Sequence, residues 1–390
     1  MKNFALFIAI ILGFVSAQGQ IIQNGYYRVW NFKTARYVHI VDNRGSINMS
    51  TTDADLNAIE LWKGLEKAIS SPATVMNFKY ISGSQYDILS QGTGISKIMD
   101  NMYLSIRKVN DASAPNTYLA YGTKSGATKY LADGEKKDRY EDGVMSTNVT
   151  NEADKQYRYW YITPIDDSTD QYFGIKPTVQ NGNKYYHSFN ADFPFSLKSQ
   201  GMKLFYITTV DQGMAVKEEI PAGAIIPAMT PILVECAASE PTDNRLTLGG
   251  NPTCSLNGNM LRGVIFHNPS NGSHRNLVEY NSQTMRVLGN MQNGSLGFIK
   301  TTEAYLPANS SYLLLPQNGQ QYPDEIKIVT REEYNAISAG IGEIIEDSSD
   351  KPVNVYNCQG ILIKQNADKD FINTLSPGLY IVGGKKILVK

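Results

Sequence analysis

The sequence predicts an all-β protein with more than one domain. Its 390 residues include 24 Tyr and 32 Gly but only 4 His and 3 Cys, which favours strands and turns over metal or thiol chemistry. Short stretches rich in aromatic and β-branched residues recur along the chain, separated by Asn, Gly and Asp turns. With 42% hydrophobic and 19% charged residues, the chain is predicted to fold rather than remain disordered.

The charge balance and the motifs exclude several classes of function. Lys and Arg total 36 against 37 Asp and Glu, a net charge of −1, so no overall field draws the chain to nucleic acid. We find no phosphate-binding loop, no Gly-x-Ser-x-Gly elbow and no His-Glu-x-x-His motif in the sequence. The sequence therefore predicts a protein that is not an enzyme, uses no cofactor and has no nucleic-acid partner.

Residues 1–17 have the pattern of a secretory signal peptide. Lys2 supplies a positive start, residues 4–14 are almost wholly apolar, and Val15-Ser16-Ala17 places small or short side chains before a cleavage point at Gln18. The apolar run is too short to cross a bilayer, and no second run of about 20 apolar residues follows. We therefore expect a secreted or cell-surface protein without a transmembrane helix.

Two short patterns each occur three times in the first half of the chain. One is an apolar strand containing a Tyr-Ile pair followed by a hydroxyl residue, at Phe78–Ser82, Tyr159–Thr163 and Leu204–Thr208. The other is a basic residue, a Tyr, an apolar residue and a small residue or His, at Arg36–His39, Lys129–Ala132 and Lys184–His187. Their common order predicts three copies of one unit, at about 24–82, 83–165 and 166–210.

Three such units can close a barrel, because each unit covers the apolar face that its neighbour exposes and no sheet edge remains. In its repeat number and strand pattern this half of the chain resembles the ricin B-like β-trefoil modules of secreted proteins. The resemblance implies an N-terminal β-trefoil with insertions over residues 24–210. That family carries a Gln two residues before its closing Trp, whereas here Glu60 precedes Trp62 and Arg158 precedes Trp160.

Beyond residue 210 the pattern changes to one that predicts a β-sandwich over residues 211–335. The stretch Ala224–Val234 is echoed at Ala304–Leu314, and in both a Pro-Ala bend and a hydroxyl residue precede an apolar strand. Further short strands joined by Asn, Gly and Ser turns lie between them. The duplicated Pro-Ala strand is similar to one in uncharacterised exported proteins of Bacteroidetes.

The last residues, 352–390, predict a short C-terminal β tail after an acidic, Ser-containing linker at 341–351. Val355-Tyr356 with Gly360, the run Pro377–Val382, and the final basic-apolar strand are similar to the C-terminal sorting domains of the type IX secretion pathway. The resemblance implies transport or retention at the surface. A small structural domain that ends the chain is the alternative.

Three cysteines allow one disulfide at most. Cys236 and Cys254 lie 18 residues apart with turn residues between them, so they could pair in an oxidising compartment, leaving Cys358 over. Three buried free thiols fit the spacing equally well.

The candidate ligand-binding residues come from the first and third predicted units. Tyr37 with His39 and Tyr185 with His187 occupy equivalent places in the two units, where each pair could line a shallow pocket. The simpler alternative is that each His satisfies a turn carbonyl. The full set of candidates is Tyr37, His39, Tyr185, Tyr186, His187, Asn190 and Asp192.

The third unit is the most aromatic part of the chain, since Phe189, Phe193 and Phe195 follow the Tyr pair within a dozen residues. Aromatic faces stack on sugar rings, and the side chains of Asn190 and Asp192 could bond sugar hydroxyls. The alternative is that these rings fill a core, as alternation along strands requires.

Metal binding is not predicted. His267 and His274 lie in a polar loop without a carboxylate at ligand spacing. The acidic run at Asp166–Asp170 lacks the Gly and the distal Glu of a calcium loop, so a solvated turn is predicted there.

Together these features predict an exported, non-enzymatic binding or adhesion protein. Its partner would be an extracellular glycan or a protein surface, contacted through the trefoil. Two alternatives remain open: a structural component of the cell envelope, and an inhibitor of a secreted protease that presents rigid loops.

Overall fold

The structure is a computed structural model of the chain. It describes residues 20–43, 46–50, 65–95, 103–124, 126–133, 152–266, 278–317, 319–338, 341–342, 353–357, 359–367, 371, 374–376, 378–382 and 385–389. The predicted signal peptide at 1–17, the residues Trp62, His267, His274 and Cys358, and most of the linker at 341–351 lie outside these ranges.

The prediction of an all-β protein is confirmed, because strands make up most of the described chain. The first ten strands are β1 (Gly25–Asn31), β2 (His39–Asn43), β3 (Ser46–Ser50), β4 (Met76–Ser82), β5 (Gln85–Ser90), β6 (Thr93–Gly94), β7 (Leu104–Lys108), β8 (Tyr118–Lys124), β9 (Ala127–Tyr130) and β10 (Trp160–Pro164). One short helix, α1 (Leu65–Ala68), and 3-10 turns at Pro72–Thr74 and Glu152–Arg158 interrupt them.

Six of these strands close into a ring. The pairing order is β1, β4, β5, β7, β8 and β10, and β10 pairs back onto β1, with every pairing antiparallel. The register sets Val29 opposite Ile162, and Trp160 opposite Tyr118 closes the ring. Strands β6 and β9 pair with β5 and β8 of the ring, whereas β2 and β3 form a separate two-stranded hairpin. Closure leaves no free sheet edge among the six strands.

Apolar side chains fill the interior of this ring, which we call the barrel. Every second residue of a strand points inward, so Tyr27 and Val29 of β1 meet Trp160 and Ile162 of β10 in one buried cluster. Trp160 is fully buried and its Nε1 donates to the carbonyl of Leu131 at 3.0 Å. The free space inside is only about 20 Å³. In its described residues the barrel therefore has a packed core and no internal ligand cavity.

The second part of the fold contains thirteen further strands in the described residues. They are β11 (Phe173–Gly174), β12 (Val179–Asn181), β13 (Lys184–Phe189), β14 (Phe195–Leu197), β15 (Lys203–Asp211), β16 (Met214–Glu219), β17 (Ile232–Cys236), β18 (Arg245–Leu248), β19 (Leu261–Gly263), β20 (Met285–Asn290), β21 (Leu296–Ile299), β22 (Ser311–Leu314) and β23 (Glu325–Thr330). Helix α2 (Arg331–Ser338) follows them, and a 3-10 turn occupies Pro241–Asp243.

Ten of these strands form one sheet, and the other three form a small one. The large sheet has the order β12, β13, β17, β15, β16, β23, β21, β20, β22 and β19, with β16 and β23 parallel. The small sheet has the order β11, β18 and β14. A cluster around Phe173, Phe195 and Val234 draws on both sheets, and another around Phe205, Phe298 and Leu313 lies along the large one. We call residues 172–330 the second domain.

The strand pairings do not follow the predicted boundary at residue 210. Residues 166–210, predicted as the third unit of the barrel, contribute β13 and β15, which pair with β17 of the second domain. The barrel therefore ends at β10, and the second domain begins before 211. Alternating aromatic residues suggested a third barrel unit here. Such alternation does not identify a domain, because any half-buried strand has alternating apolar side chains. Phe189, Phe193 and Phe195 are buried in the core of the second domain, as the core-filling alternative predicted.

The repeated Pro-Ala segments adopt the same bend. Met229 and Asn309, each directly after Pro-Ala, have positive φ values of 59° and 52°, and the buried strands β17 and β22 follow them. Asn tolerates the left-handed region well. The repeated Pro-Ala sequence therefore marks two equivalent bends, each of which leads into a strand of the large sheet.

The C-terminal residues form a separate small sheet, as the predicted β tail implies. Its strands are β24 (Ile341–Gly342), β25 (Val353–Asn357), β26 (Leu362–Ala367), β27 (Gly378–Val382) and β28 (Lys385–Val389), in the order β24, β28, β27, β25 and β26. Val355, Ala367, Val382 and Ile387 form its core. This sheet starts inside the predicted linker, since β24 pairs with β28. Within the described residues no helix has the length and apolarity that a membrane crossing requires.

Candidate functional site

The predicted ligand-binding residues do not form one site. Tyr37 and His39 lie on the barrel, next to and on β2, whereas Tyr185 pairs with Cys236 inside the sheet of the second domain. The predicted equivalence of the two groups fails because residues 184–187 belong to the second domain. We therefore describe the two groups separately.

The three candidates on β13 contact neighbouring residues of the second domain. Tyr186 lies opposite Glu235, and burial together with the charge and hydrogen bond of Glu235 raises the pKa of its hydroxyl to about 12. His187 Nδ1 lies 3.2 Å from Thr178 Oγ1, and close packing lowers the pKa of the ring to about 4. His187 is therefore neutral at pH 7 and bonds a nearby hydroxyl.

Asn190 and Asp192 lie where the barrel meets the second domain, a contact region that we call the seam. The Asn190 side chain donates to the carbonyl of Val264 at 3.3 Å, and its backbone N–H donates to the carbonyl of Asn309 at 3.0 Å. Asp192 reaches the barrel, where the N–H of Gly92 donates to its Oδ2 at 2.9 Å. The bond between Gly92 and Asp192 therefore joins the two domains, whereas the two bonds of Asn190 lie within the second domain beside the seam.

Two buried amides complete the seam. Gln91 Nε2 donates to Asn309 Oδ1 at 3.0 Å, and Asn309 Nδ2 donates back to Gln91 Oε1 at 2.9 Å. Gln91 is 4% exposed and Asn309 is 7% exposed, so each amide satisfies the other away from water. Phe266 of the second domain also packs into the barrel core.

Stability is expected to fall as the pH rises through about 6 because of Asp192. Burial raises the pKa of this carboxyl to about 6, although the N–H groups of Gly92, Gln91 and Asp192 itself oppose the shift. The folded protein therefore binds the proton more tightly than the unfolded chain does. The resulting stabilisation is complete below the unfolded pKa of about 4 and is lost as pH rises through 6, amounting to roughly 3 kcal/mol in full.

Urea unfolding at pH 4.5 and pH 7.5 measures this effect. The variant Asp192→Asn does not titrate, so its pH dependence should be flatter than that of the wild type over this range, while Asp170→Asn, at an exposed position, should retain the wild-type dependence. Equal slopes for the wild type and Asp192→Asn would contradict the assignment.

The possible disulfide is absent, and both cysteines are free. Cys236 is buried on β17, where burial and the charge of Glu235 raise the pKa of its thiol to about 12. Cys254 Sγ instead contacts the carbonyl oxygen of Ile225 at 3.5 Å. Desolvation therefore makes Cys236 an unreactive core residue.

A row of aromatic side chains on the outer face of the barrel stands out from the predicted candidates. It consists of Tyr37, Trp30, Tyr161 and Phe32, and we call it the aromatic row. Trp30 and Tyr161, which are opposite each other on β1 and β10, stack with ring centroids 4.1 Å apart. Tyr37 stacks on Trp30 at 6.1 Å, and Phe32 lies 5.9 Å from Tyr161 with its plane inclined by 49°.

The second domain covers one end of this outer face and leaves the aromatic row partly open. Tyr26 contacts Phe193 edge-on at 6.1 Å, and the guanidinium of Arg28 donates to the carbonyls of Gln171 and Tyr172 at 3.0 Å each. Farther along the same strands, Trp30, Phe32 and Tyr161 are each half-buried, while Tyr37 is 6% exposed. Partly exposed aromatic rings in a continuous group are typical of binding surfaces.

Two exposed carboxylates lie near the buried end of the row. Burial raises the pKa of the Tyr37 hydroxyl, the positive charge of Arg28 opposes this, and the negative charges of Asp170 and Glu66 raise it further. Both acidic residues are exposed to solvent. The aromatic row therefore combines apolar rings with nearby hydrogen-bond acceptors.

Of the residues in this row, sequence analysis identified only Tyr37. The signal for the others was present, since Trp30 and Phe32 alternate along β1 and its continuation, and Tyr159 and Tyr161 do so along β10. What could not be read from the sequence is that β1 and β10, separated by about 130 residues, lie side by side.

Comparison with known proteins adds no assignment, because no family model and no curated protein matches this chain. Within the described residues, no group of three or more His, Cys, Asp or Glu side chains could hold a metal ion.

Proposed function

We propose that this chain is an exported, non-enzymatic protein that binds an extracellular carbohydrate through the aromatic row of its barrel. The observation that carries the proposal is the partly exposed row itself, with Asp170 and Glu66 close to Tyr37. Export rests on the signal-like segment at residues 1–17.

The chemistry of the row suits a sugar better than a purely apolar ligand. Because Phe32 is inclined to Tyr161, these two rings do not cover each other and offer apolar surface to the C–H groups of a sugar. Carboxylates such as Asp170 and Glu66 accept hydrogen bonds from sugar hydroxyls. Both kinds of contact are needed, since a sugar ring has apolar and hydroxyl-bearing parts.

The proposed architecture of the barrel is a β-trefoil shorter than the sequence predicted. Three pairs of ring strands, β1 with β4, β5 with β7, and β8 with β10, each enclose an excursion that contains β2 and β3, β6, or β9. A threefold repeat of this kind supports a trefoil at residues 25–164. On this proposal the units end near residues 82 and 108, and the third begins at β8.

A glycan-array screen of the full chain tests the proposed function. The variants Tyr161→Ala and Phe32→Ala should lose roughly tenfold or more of the binding to any sugar that the wild type recognises, because each removes half-buried ring surface. Tyr103→Ala is the matched control, since Tyr103 is 50% exposed and is not a member of the row. Thermal unfolding of each variant separates lost binding from lost folding.

An array without a reproducible signal would overturn the proposal, as would a signal that survives in both row variants. In the first case a protein partner for the same surface becomes the better hypothesis.

A further inference from the structure

The second domain contains an open groove that has no part in the aromatic row. Its volume is about 420 Å³, within the range of small-molecule sites. Its walls come from the segment before and within β19, including Met260 and Arg262, and from the end of β22 and its continuation, including Leu314 and Gln317. β19 pairs with β22, and the N–H of Leu314 donates to the carbonyl of Met260 at 3.2 Å, so adjacent backbone holds the two walls in place.

Of the described residues that line the groove, Arg262 alone is charged. Its Nη1 donates to the carbonyls of Asn259 and Leu261 at 3.0 and 2.9 Å, and these two bonds orient the guanidinium. Its Nε and Nη2 have no hydrogen-bond partner among the described residues. A fixed guanidinium with two available donor atoms matches the two oxygens of a carboxylate.

The rest of the lining suits a ligand that is apolar on one side and polar on the other. Met260 and Leu314 are half-buried and present carbon surface, and Pro316 adds an exposed ring. The exposed carboxamide of Gln317 has no partner in the described part of the chain and can both donate and accept a hydrogen bond. Among the described residues no carboxylate lines the groove, so none of their side chains in the lining neutralises Arg262.

We propose that this groove binds a uronic acid, with the carboxylate of the sugar on Arg262 Nε and Nη2. The sugar ring then lies against Met260 and Leu314, and the carboxamide of Gln317 bonds a hydroxyl. The volume accommodates one or two sugar rings. This site is separate from the aromatic row, so it does not depend on the function proposed for the barrel.

Isothermal titration of the full chain with glucuronate tests the site, and glucose and acetate serve as the two partial ligands. The wild type should bind glucuronate measurably and bind glucose and acetate at least about tenfold more weakly. Glucose lacks the carboxylate that contacts Arg262, and acetate lacks the sugar ring that contacts the apolar lining. Arg262→Gln should reduce glucuronate affinity roughly tenfold or more. Gln317→Ala, a change at an exposed position, should reduce it less.

Two controls distinguish this site from general charge effects and from the row. Arg107→Gln removes an exposed Arg of the barrel and should leave glucuronate affinity unchanged. Tyr161→Ala should also leave it unchanged, whatever its effect on the array. Absence of glucuronate binding by the wild type, unaltered binding in Arg262→Gln, or equal binding of glucose would each overturn the proposal. If Arg262→Gln does not fold, the result for Gln317→Ala decides, and unaltered affinity in that variant counts against the site.

Discussion

Replacing Asp133 with alanine is expected to lower the free energy of unfolding by about 3 to 5 kcal/mol. Asp133 and Arg36 are each 1% exposed, and Arg36 Nε donates to Asp133 Oδ2 at 2.8 Å while its Nη2 contacts Oδ1. Thr34 Oγ1 donates to the same carboxylate at 2.6 Å. Alanine would leave the Arg36 charge buried without this counterion, which costs far more than the loss of a surface pair.

Urea unfolding of Asp133→Ala measures this loss, and two comparisons isolate its cause. Lys203→Ala removes an exposed partner of Glu219, 2.9 Å away, and should cost less than about 1 kcal/mol. The double variant Arg36→Met/Asp133→Leu should be more stable than Asp133→Ala, because it removes both charges. A double variant that is less stable than the single one would show that the charge pair is not the reason for the loss.

Replacing Arg28 with methionine is expected to cost roughly 3 kcal/mol or more, because three hydrogen bonds from a buried, charged donor are lost. Arg28 is fully buried, and its guanidinium donates to the carbonyls of Ala68 at 3.2 Å and of Gln171 and Tyr172 at 3.0 Å. Desolvation lowers its pKa to about 10, which still leaves it charged at pH 7. Methionine fills a similar volume but offers no donor.

The loss of stability in Arg28→Met should be greatest at the seam. Amide hydrogen exchange can show where in the fold the stability is lost. The N–H of Gly174 in the second domain donates to the carbonyl of Ile69 at 2.9 Å, so its protection reports contact between the second domain and the segment beside the barrel. Protection of Gly174 should fall in Arg28→Met by more than protection of Val216 in the large sheet. Arg28→Lys keeps the charge but cannot reach all three carbonyls, so its stability should lie between that of the wild type and that of Arg28→Met. Equal loss of protection at both amides would argue against a seam role.

Sequence analysis predicted correctly the features that depend on the residues of a single strand. Alternation and turn residues predicted strands correctly at β1, β4, β13 and β17, because each strand must bury one face whatever it pairs with. The Pro-Ala echo identified two equivalent bends for the same reason, since the bend is fixed by residues within a few positions of one another.

Pairing between distant strands could not be predicted in the same way. The repeated Tyr-Ile strand at 204–208 resembles its counterparts in the barrel, yet β15 pairs with β16 and β17. Side-chain alternation indicates which residues of a strand are buried, but it does not indicate which other strand that strand pairs with. The aromatic row, the Arg36–Asp133 pair and the seam were missed for this reason, because each joins segments far apart in the chain.

The amide pair of the seam also constrains the order in which the chain can fold. Gln91 and Asn309 are separated by 218 positions, whereas all six ring strands of the barrel are complete by residue 164. The barrel can therefore close on its own contacts before the partner of Gln91 is even available, and loop closure over such a distance is slow. Docking of the second domain onto Gln91 is therefore expected to follow closure of the barrel, and until then the Gln91 side chain must be satisfied by water.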